Sequence, residues 1–358
     1  MSVLELPSTR EEAWRWSDPE AIAAAAATPR SDAPADTEHR WLDLAGARVV
    51  VRDGVVDEAA STLDRVRLEP VTAGEHVLGA RASGSGWTLR LDADAVPDPV
   101  QILHVSTGGA NHLPAEIALG PDAVAQVVET YVGQGWANRF TRVTLGRSAR
   151  LMRSVRLLQA GGFTSLREEA ALGRGASLVT TMLGAGKAGT RVDAAITAGE
   201  GAFAEYGGAL LTAGEQRQEC AVAVRHAEPN GQSHQLWRAV AADRSVASLA
   251  ARVEVARHAQ KTDGEQSLRG LLLKRTAAVN LKPELEIFAD DVKCAHGATI
   301  GELDDRALFY MQSRGVPKPR AQALLTRAFV ADALDRIGDE MIRDAFAADA
   351  DAWLEAAL

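Results

Sequence analysis

The chain has 358 residues, of which 46% are hydrophobic and 24% are charged, and its formal net charge is −9. This composition is typical of a folded protein with room for two or three subdomains, and the acidic excess argues against nucleic acid or an anionic membrane surface as the main partner. Two cysteines suit a reducing compartment, and neither a signal peptide nor a bilayer-spanning apolar run is evident, so we expect a cytoplasmic protein without membrane contact.

Residues 1–90 are predicted to form an N-terminal region of mixed, partly helical structure. Asp18 and Pro19 have the pattern of a helix start, because an acidic cap and a proline in the first turn precede an alanine-rich run. A linker-like stretch follows, and residues 41–56 then alternate in the manner of a strand.

Residues 91–300 contain an internal repeat. A glycine recurs every 26 or 27 residues, each time with an alanine three positions later, at Gly120, Gly146, Gly173 and Gly199. A unit of this length cannot bury its apolar face alone and must stack on its neighbours. Short strand-like segments without long helices between them predict a mainly β protein with a β-solenoid core. An antiparallel sandwich with accidental spacing is the alternative.

Three later segments are candidates for further rungs of this solenoid, at residues 219–227, 246–256 and 284–295. After residue 300 the pattern becomes helical. Asp304 or Asp305 can cap a helix that stops at Gly315, Pro319 opens a second helix, and a third covers residues 340–358.

The second of these predicted helices carries an apolar stripe at helical spacing. Packing within the helical unit is the simplest interpretation of such a stripe. Its members include Leu324, Leu325 and Phe329.

Cys294 and His296 form the pattern with the clearest chemical meaning. On an extended strand, residues two positions apart point the same way, so a thiolate and an imidazole would share one face. Both groups bind soft and borderline metals such as iron. A buried small cysteine beside a hydrogen-bonded histidine is the simpler interpretation when the pair is considered alone.

Other patterns are weaker. Residues 184–189 satisfy G-x-G-x-x-G, but a short strand-like segment follows where a dinucleotide site needs a helix, so we interpret them as a turn and expect no bound nucleotide. His226 and His234 flank a turn, where paired histidines can bind a metal, but the simpler expectation is that they are exposed loop residues without a role. Cys220 lies in an apolar strand and is expected in the core.

The longer string around Cys294 strongly resembles the C-terminal part of the SufD family, a subunit of the Suf iron–sulfur cluster assembly machine. The resemblance rests on KPELEIFADDVKCAHGAT (residues 282–299), LFYMQSRGV (residues 308–316) and AQKTDGEQSLRGLLL (residues 259–273), and more loosely on EEAWRWSDPEAI (residues 11–22). The specific matches cover roughly the last third of the chain. The related SufB family lacks the DDVKCxHGAT string and usually has more cysteines, so SufD is favoured.

The resemblance implies a right-handed parallel β-helix core with helical regions at both ends. It implies a non-catalytic subunit that pairs with a SufB paralogue and with the SufC ABC-type ATPase, which docks on the C-terminal helical region of residues 301–358. It also implies that Cys294 and His296 lie near the SufB interface, where they admit iron or hold a transient iron–sulfur cluster. The exposed part of the Leu324, Leu325 and Phe329 stripe is then a candidate SufC contact. Whether a flavin takes part stays open.

Two other functions are compatible with parts of the sequence. One is a SufB-like scaffold that holds a cluster alone. The other is a polysaccharide-active enzyme, since β-solenoids also host such enzymes, although only 5% of the residues are aromatic and sugar-binding sites usually need aromatic platforms.

Overall fold

The computed structural model describes residues 6–31 and 40–357. The N-terminal part contains one α-helix, α1 (Pro19–Ala27), whose first turn is capped by the Asp18 carboxylate, an acceptor 2.9 Å from the Ala21 amide. Four strands follow, namely β1 (Arg48–Arg52), β2 (Val55–Val56), β3 (Val66–Val71) and β4 (Gly84–Leu91). Within the described residues, no helix is long and apolar enough to cross a membrane.

Thirteen further strands build a parallel β-solenoid. They are β5 (Val100–Leu119), β6 (Val124–Leu145), β7 (Arg150–Leu157), β8 (Phe163–Leu172), β9 (Ser177–Gly184), β10 (Gly189–Ala198), β11 (Phe203–Thr212), β12 (Arg217–His226), β13 (Gln232–Ala241), β14 (Val246–Val255), β15 (Asp263–Leu272), β16 (Ala278–Ile287) and β17 (Lys293–Glu302).

These strands form two parallel ladders that face each other. The odd ladder runs from β7 through β9, β11, β13 and β15 to β17, and the even ladder from β8 through β10, β12 and β14 to β16. The long strands β5 and β6 bend and contribute to both ladders. The β-solenoid prediction is confirmed. The antiparallel sandwich is excluded, because antiparallel pairing among the described strands is confined to β1–β2 and β3–β4, outside the solenoid.

The repeated glycines are explained by the close approach of the backbones of successive rungs at one corner of the solenoid. Each follows the last residue of a strand, and successive corners stack directly on one another. A Cβ on Gly173 would lie 2.8 Å from the Leu145 carbonyl oxygen, and one on Gly199 would lie 2.7 Å from that of Leu172. Any larger residue would force the rungs apart, so the repeat is a steric requirement of stacking.

Alternating side chains of both ladders fill the lumen between them. The main apolar core lies there and includes Leu151, Leu178, Val222, Leu249 and Leu268. Cys220 is buried in this core, as predicted.

Charged groups are also buried in the lumen. The Glu129 carboxylate lies 3.0 Å from Nε2 of His104 and accepts a hydrogen bond from Nε of Arg153 across 2.7 Å. Burial lowers the pKa of His104 to about 4, against the opposing effect of Glu129. The imidazole is therefore neutral at physiological pH, and the carboxylate is balanced by the guanidinium.

Three helices follow the solenoid: α2 (Asp305–Ser313), α3 (Lys318–Leu334) and α4 (Glu340–Ala357). The Asp304 side chain accepts from the Arg306 amide at 2.9 Å and so caps α2. Apolar residues of α3 and α4, including Val330 and Phe346, pack on outward-facing residues of the odd ladder such as Leu211 and Val240. The helices therefore cover one outer face of the solenoid.

The N-terminal segment before α1 is held against the even ladder by Arg191 of β10. Its guanidinium donates to Ser17 Oγ at 2.5 Å and to Glu219 at 2.7 Å, and the Trp14 ring lies over it with 3.8 Å from Cζ to the ring centroid. Arg191 is buried, and its charge is balanced by Glu219 and Asp193. These contacts bridge parts of the chain that are far apart in sequence.

The candidate rung segments at 219–227 and 246–256 each correspond to one strand, β12 and β14, whereas 284–295 covers the end of β16, a corner and the start of β17. The expectation that His226 and His234 are exposed loop residues is wrong. His226 ends β12 facing inward, is fully buried, and its Nε2 lies 2.8 Å from Ser233 Oγ. His234 lies on β13 and is half-buried, with its Nδ1 3.8 Å from a Glu205 carboxylate oxygen. Residues 184–189 do form the predicted turn between β9 and β10.

The burial of His226 predicts a pH dependence of stability. Burial lowers its pKa to about 4, whereas an unfolded chain has a histidine pKa of about 6.5. Below pH 6.5 the unfolded state therefore binds a proton that the native state does not, and the free energy of unfolding falls until pH approaches 4. At pH 5 this loss is roughly 2 kcal/mol. In urea unfolding, His226→Gln should lose about 2 kcal/mol less stability than the wild type between pH 7.5 and pH 5.

The matched control for this measurement is His258→Gln, because the His258 side chain is 65% exposed. Its stability should fall with pH as steeply as that of the wild type. Equal slopes for His226→Gln and His258→Gln would contradict the explanation.

Candidate functional site

The solenoid is open at its C-terminal end. In the described part of the chain, β16 pairs only with β14, and β17 pairs only with β15. The Lys293 amide donates to the Thr262 carbonyl at 2.8 Å, toward β15. Because alternate residues of a parallel strand bond to opposite sides, the N–H groups of Cys294, His296 and Ala298 are directed to the free edge. The last rung therefore presents unpaired backbone donors and acceptors.

Cys294 and His296 both lie on β17 and face the lumen side of this last rung. Their register partners are Gly264 and Gln266, which are inward-facing, buried residues of β15. Cys294 is half-buried and His296 is exposed, because no further rung covers them. The structure thus brings the two residues together at the mouth of the lumen rather than on the outer wall.

The Cys294 thiol has one apolar side and one open side. It packs against a small cluster that includes Val253 and Val255. Partial burial, reinforced by the Asp263 charge, raises the pKa of the thiol, while the Gly264 backbone N–H lowers it. A Cβ on Gly264 would lie 3.4 Å from Sγ, so the glycine leaves space beside the sulfur. The thiol is therefore protonated at neutral pH until a cation displaces the proton.

Two glutamines lie below His296 in the same column of the lumen. Gln266 is its direct register partner, and Gln235 is the partner of Gln266 one rung further in. The alternating pattern of DGEQSLRGLL could have placed Gln266 inside, but only the register brings it next to His296.

The ligand set at this end is incomplete. Among residues 6–31 and 40–357, no group of three or more His, Cys, Asp or Glu side chains is placed to hold a metal ion. An iron–sulfur cluster requires more ligands than one thiolate and one imidazole. The arrangement can supply two ligands and leaves the remainder to another molecule.

Apolar side chains are exposed around the same end. Ile287 and Phe288 lie at the corner between β16 and β17, and Ile300 lies further along β17. They are 39%, 57% and 48% exposed, respectively. Apolar groups beside an unpaired strand edge are typical of a surface that another protein covers.

A second exposed apolar surface lies on the C-terminal helices. Leu324 of α3 is 42% exposed, and Phe309 and Tyr310 of α2 are exposed as well. Leu325 is half-buried. Phe329 packs against the helix–solenoid core and lies 5.9 Å from the Arg238 guanidinium carbon, so it contributes to docking α3 onto β13. Of the three residues of the predicted stripe, Leu324 is the one that is free to contact a partner.

The comparison with protein families matches this architecture. The model of the SUF system FeS cluster assembly, SufBD core domain, matches residues 104–329. This range covers most of the solenoid, the open end and most of α3.

Individual relatives agree with the family match. The chain is 42% identical over 111 residues to the iron–sulfur cluster assembly protein SufD of Escherichia coli, covering 31% of this chain and 26% of the relative. It is 43% identical over 117 residues to Protein ABCI7, chloroplastic, of Arabidopsis thaliana, covering 32% and 25%. It is 27% identical over 145 residues to SufD of Bacillus subtilis, covering 40% and 33%. The alignments therefore span a third or less of the length of these relatives. With the family model matching more than half of its length, the chain belongs to the SufD family of the SufB/SufD superfamily.

Proposed function

We propose that this chain is a non-catalytic subunit of a cytoplasmic Suf complex that assembles iron–sulfur clusters. Its open end pairs with a SufB paralogue, and its C-terminal helices bind the SufC ATPase. Cys294 and His296 supply two ligands to iron or to a nascent cluster, which is the cargo of the complex. The observation that carries the proposal is the presence of both residues on the terminal strand, whose outer edge is unpaired.

The unpaired edge is the reason to expect a paralogous partner. Exposed strand edges with apolar neighbours associate readily, and an added strand satisfies the free backbone groups. A second solenoid with a similar end has the same spacing between its rungs, so its terminal strand can continue the parallel ladder beyond β17. Pairing of this kind would also place the partner's ligands opposite Cys294 and His296.

The incomplete ligand set supports a shared site. A thiolate and a neutral imidazole both bind iron, and two protein ligands leave coordination positions for sulfide and for residues of the partner. Loading the site releases the proton of the Cys294 thiol, so binding becomes tighter as pH rises. Two ligands alone hold a cluster weakly, which suits a subunit that must pass its cargo on.

The helical surface supports a separate partner on the same molecule. Leu324 is exposed on α3, which packs directly on the odd ladder, and Phe309 and Tyr310 are exposed on α2, which packs against α3. A protein bound there is connected through α3 to β13, two rungs from β17. We propose SufC as this partner, so that its nucleotide-driven movement changes the open end, with no nucleotide bound by this chain itself.

Pairing through the free edge predicts the effect of a proline on β17. Ala298→Pro removes an N–H that is directed to the free edge, and Gly297 before it limits steric conflict. We expect the variant to fold with an unchanged melting temperature and to lose most binding to the purified SufB paralogue in a pull-down. Ala298→Ser, which keeps the N–H, should bind as the wild type does. Undiminished binding by Ala298→Pro would contradict pairing through this edge.

The shared ligand set predicts a difference between the two cysteines. In the anaerobically reconstituted complex, Cys294→Ala and His296→Ala should each reduce the amount of cluster formed by about tenfold or more, because each removes a ligand. Cys220→Ala should assemble clusters normally, since Cys220 is 2% exposed and lies in the apolar lumen. Normal assembly by both ligand variants would rule out the proposed role.

If SufC binds the C-terminal helices, SufC binding can be lost while binding to the SufB paralogue is retained. Leu324→Glu places a charge in the proposed contact and should weaken SufC binding by about tenfold or more, a cost of roughly 1.4 kcal/mol. Val55→Glu is the matched control, because Val55 is an exposed apolar residue, 69% accessible, on β2 rather than on the C-terminal helices. Binding to the SufB paralogue should be unchanged in both variants. Equal SufC affinities in calorimetry would contradict the assignment of this surface.

A further inference from the structure

The lumen contains a continuous column of polar side chains that ends at His296. Successive rungs of the odd ladder bring into register Arg153, Thr180 and Tyr206, then Gln235, Gln266 and His296. Tyr206 falls opposite Gln235, between the Glu205–His234 and Gly208–Trp237 pairs. All members except His296 are buried. Polar residues in consecutive positions of one lumen column are unusual in a core that is otherwise apolar.

Three members of this column carry a buried polar atom without a hydrogen-bond partner among the described residues. They are Oγ1 of Thr180, Oε1 of Gln235 and Oε1 of Gln266. An unpaired buried acceptor costs free energy, so native structures keep few of them, and each one calls for an explanation.

The two glutamines are fixed in the same way. Gln266 Nε2 donates to the Glu284 carbonyl at 3.1 Å, and Gln235 Nε2 donates to the Arg252 carbonyl at 3.0 Å. Each amide therefore crosses the lumen and is anchored on the even ladder. This anchoring directs the amide nitrogen to the facing strand and leaves the oxygen as an acceptor within the column.

Gln266 differs from Gln235 in its next neighbour. The residue above Gln235 is another anchored glutamine, whereas the residue above Gln266 is His296. Adjacent rungs are about 4.8 Å apart, which allows side chains in one column to meet. A neutral imidazole has one N–H to donate and one lone pair, and the group that accepts the N–H determines which nitrogen is free for a metal.

From this arrangement we infer that Gln266 is the positioning residue for His296. When a partner covers β17 and removes water from the ring, Gln266 Oε1 accepts the imidazole N–H. The ring is then held in one tautomer with the lone pair of its other nitrogen directed to the cargo. The inference rests on the proposed function in two respects, namely that His296 is a ligand and that a partner covers β17.

The test measures metal affinity rather than cluster assembly. Co²⁺ is titrated anaerobically into the purified complex of this chain with its SufB paralogue, and binding is followed by the thiolate-to-cobalt absorption band. Gln266→Met keeps the side-chain volume but removes the acceptor, and we expect Co²⁺ binding to weaken 10- to 100-fold. His296→Ala should weaken it at least as much.

Gln235→Met is the matched control. Gln235 is as deeply buried as Gln266, also has an unpaired Oε1 and makes the same amide contact across the lumen. A purely structural effect of losing a lumen glutamine would therefore appear in both variants, whereas positioning of His296 predicts wild-type Co²⁺ affinity for Gln235→Met.

The outcomes separate the inference from the proposed function. Weaker binding with His296→Ala and Gln266→Met, and not with Gln235→Met, supports the inference. Weaker binding with His296→Ala but wild-type affinity with Gln266→Met overturns the inference alone, as does an equal loss in both glutamine variants. Wild-type affinity with His296→Ala overturns the ligand role of His296 and the inference with it.

Discussion

The backbone hydrogen bonds of this protein run along the solenoid axis, and this direction determines most of what the molecule can do. Each inner rung satisfies the rung before it and the rung after it, so the stack has no internal reason to stop. The last rung pairs on one side only. Because the free edge is a property of the stacking itself, a protein of this kind must either cap its last rung or pair it with another molecule. This chain places the Cys294 thiol and the His296 imidazole at that edge.

The sequence was sufficient to predict the solenoid but not the position of its site within it. The glycines at 120, 146, 173 and 199 are visible because a steric requirement recurs at every corner. The shared face of Cys294 and His296 follows from a period of two. Which face it is follows less directly, because the apolar alternation of KCAHGATIGE is weak: His296 stands on the same face as Cys294 and Ile300, and small residues occupy much of both faces. The sequence also does not show that Gln235, Gln266 and His296 share one column, since the spacing from Gln235 to Gln266 differs from that between Gln266 and His296.

Burial has different effects on the titratable groups deep in the lumen and on those at its open end. Deep inside, Glu129 and Arg153 balance each other, and His104 is kept neutral by its surroundings. At the mouth, Cys294 is only half-buried, and its thiol meets one apolar wall and one open side. The interior charges are therefore fixed parts of the fold, whereas the protonation of the thiol can respond to whatever covers the open end.

The contacts of Arg191 have a consequence for the order in which the chain becomes structured. Ser17 is bound to Arg191, 174 residues later, and to Glu219, 202 residues later. A ribosome synthesises the N-terminal segment first, at roughly 5–20 residues per second, yet the groups that hold it are made about 10–40 seconds afterwards. Ser17 therefore lacks one of its final partners until Glu219, which is more than half-way along the solenoid strands, has been synthesised. This segment is translated before the solenoid, yet its contacts with Arg191 and Glu219 form only after much of the solenoid exists.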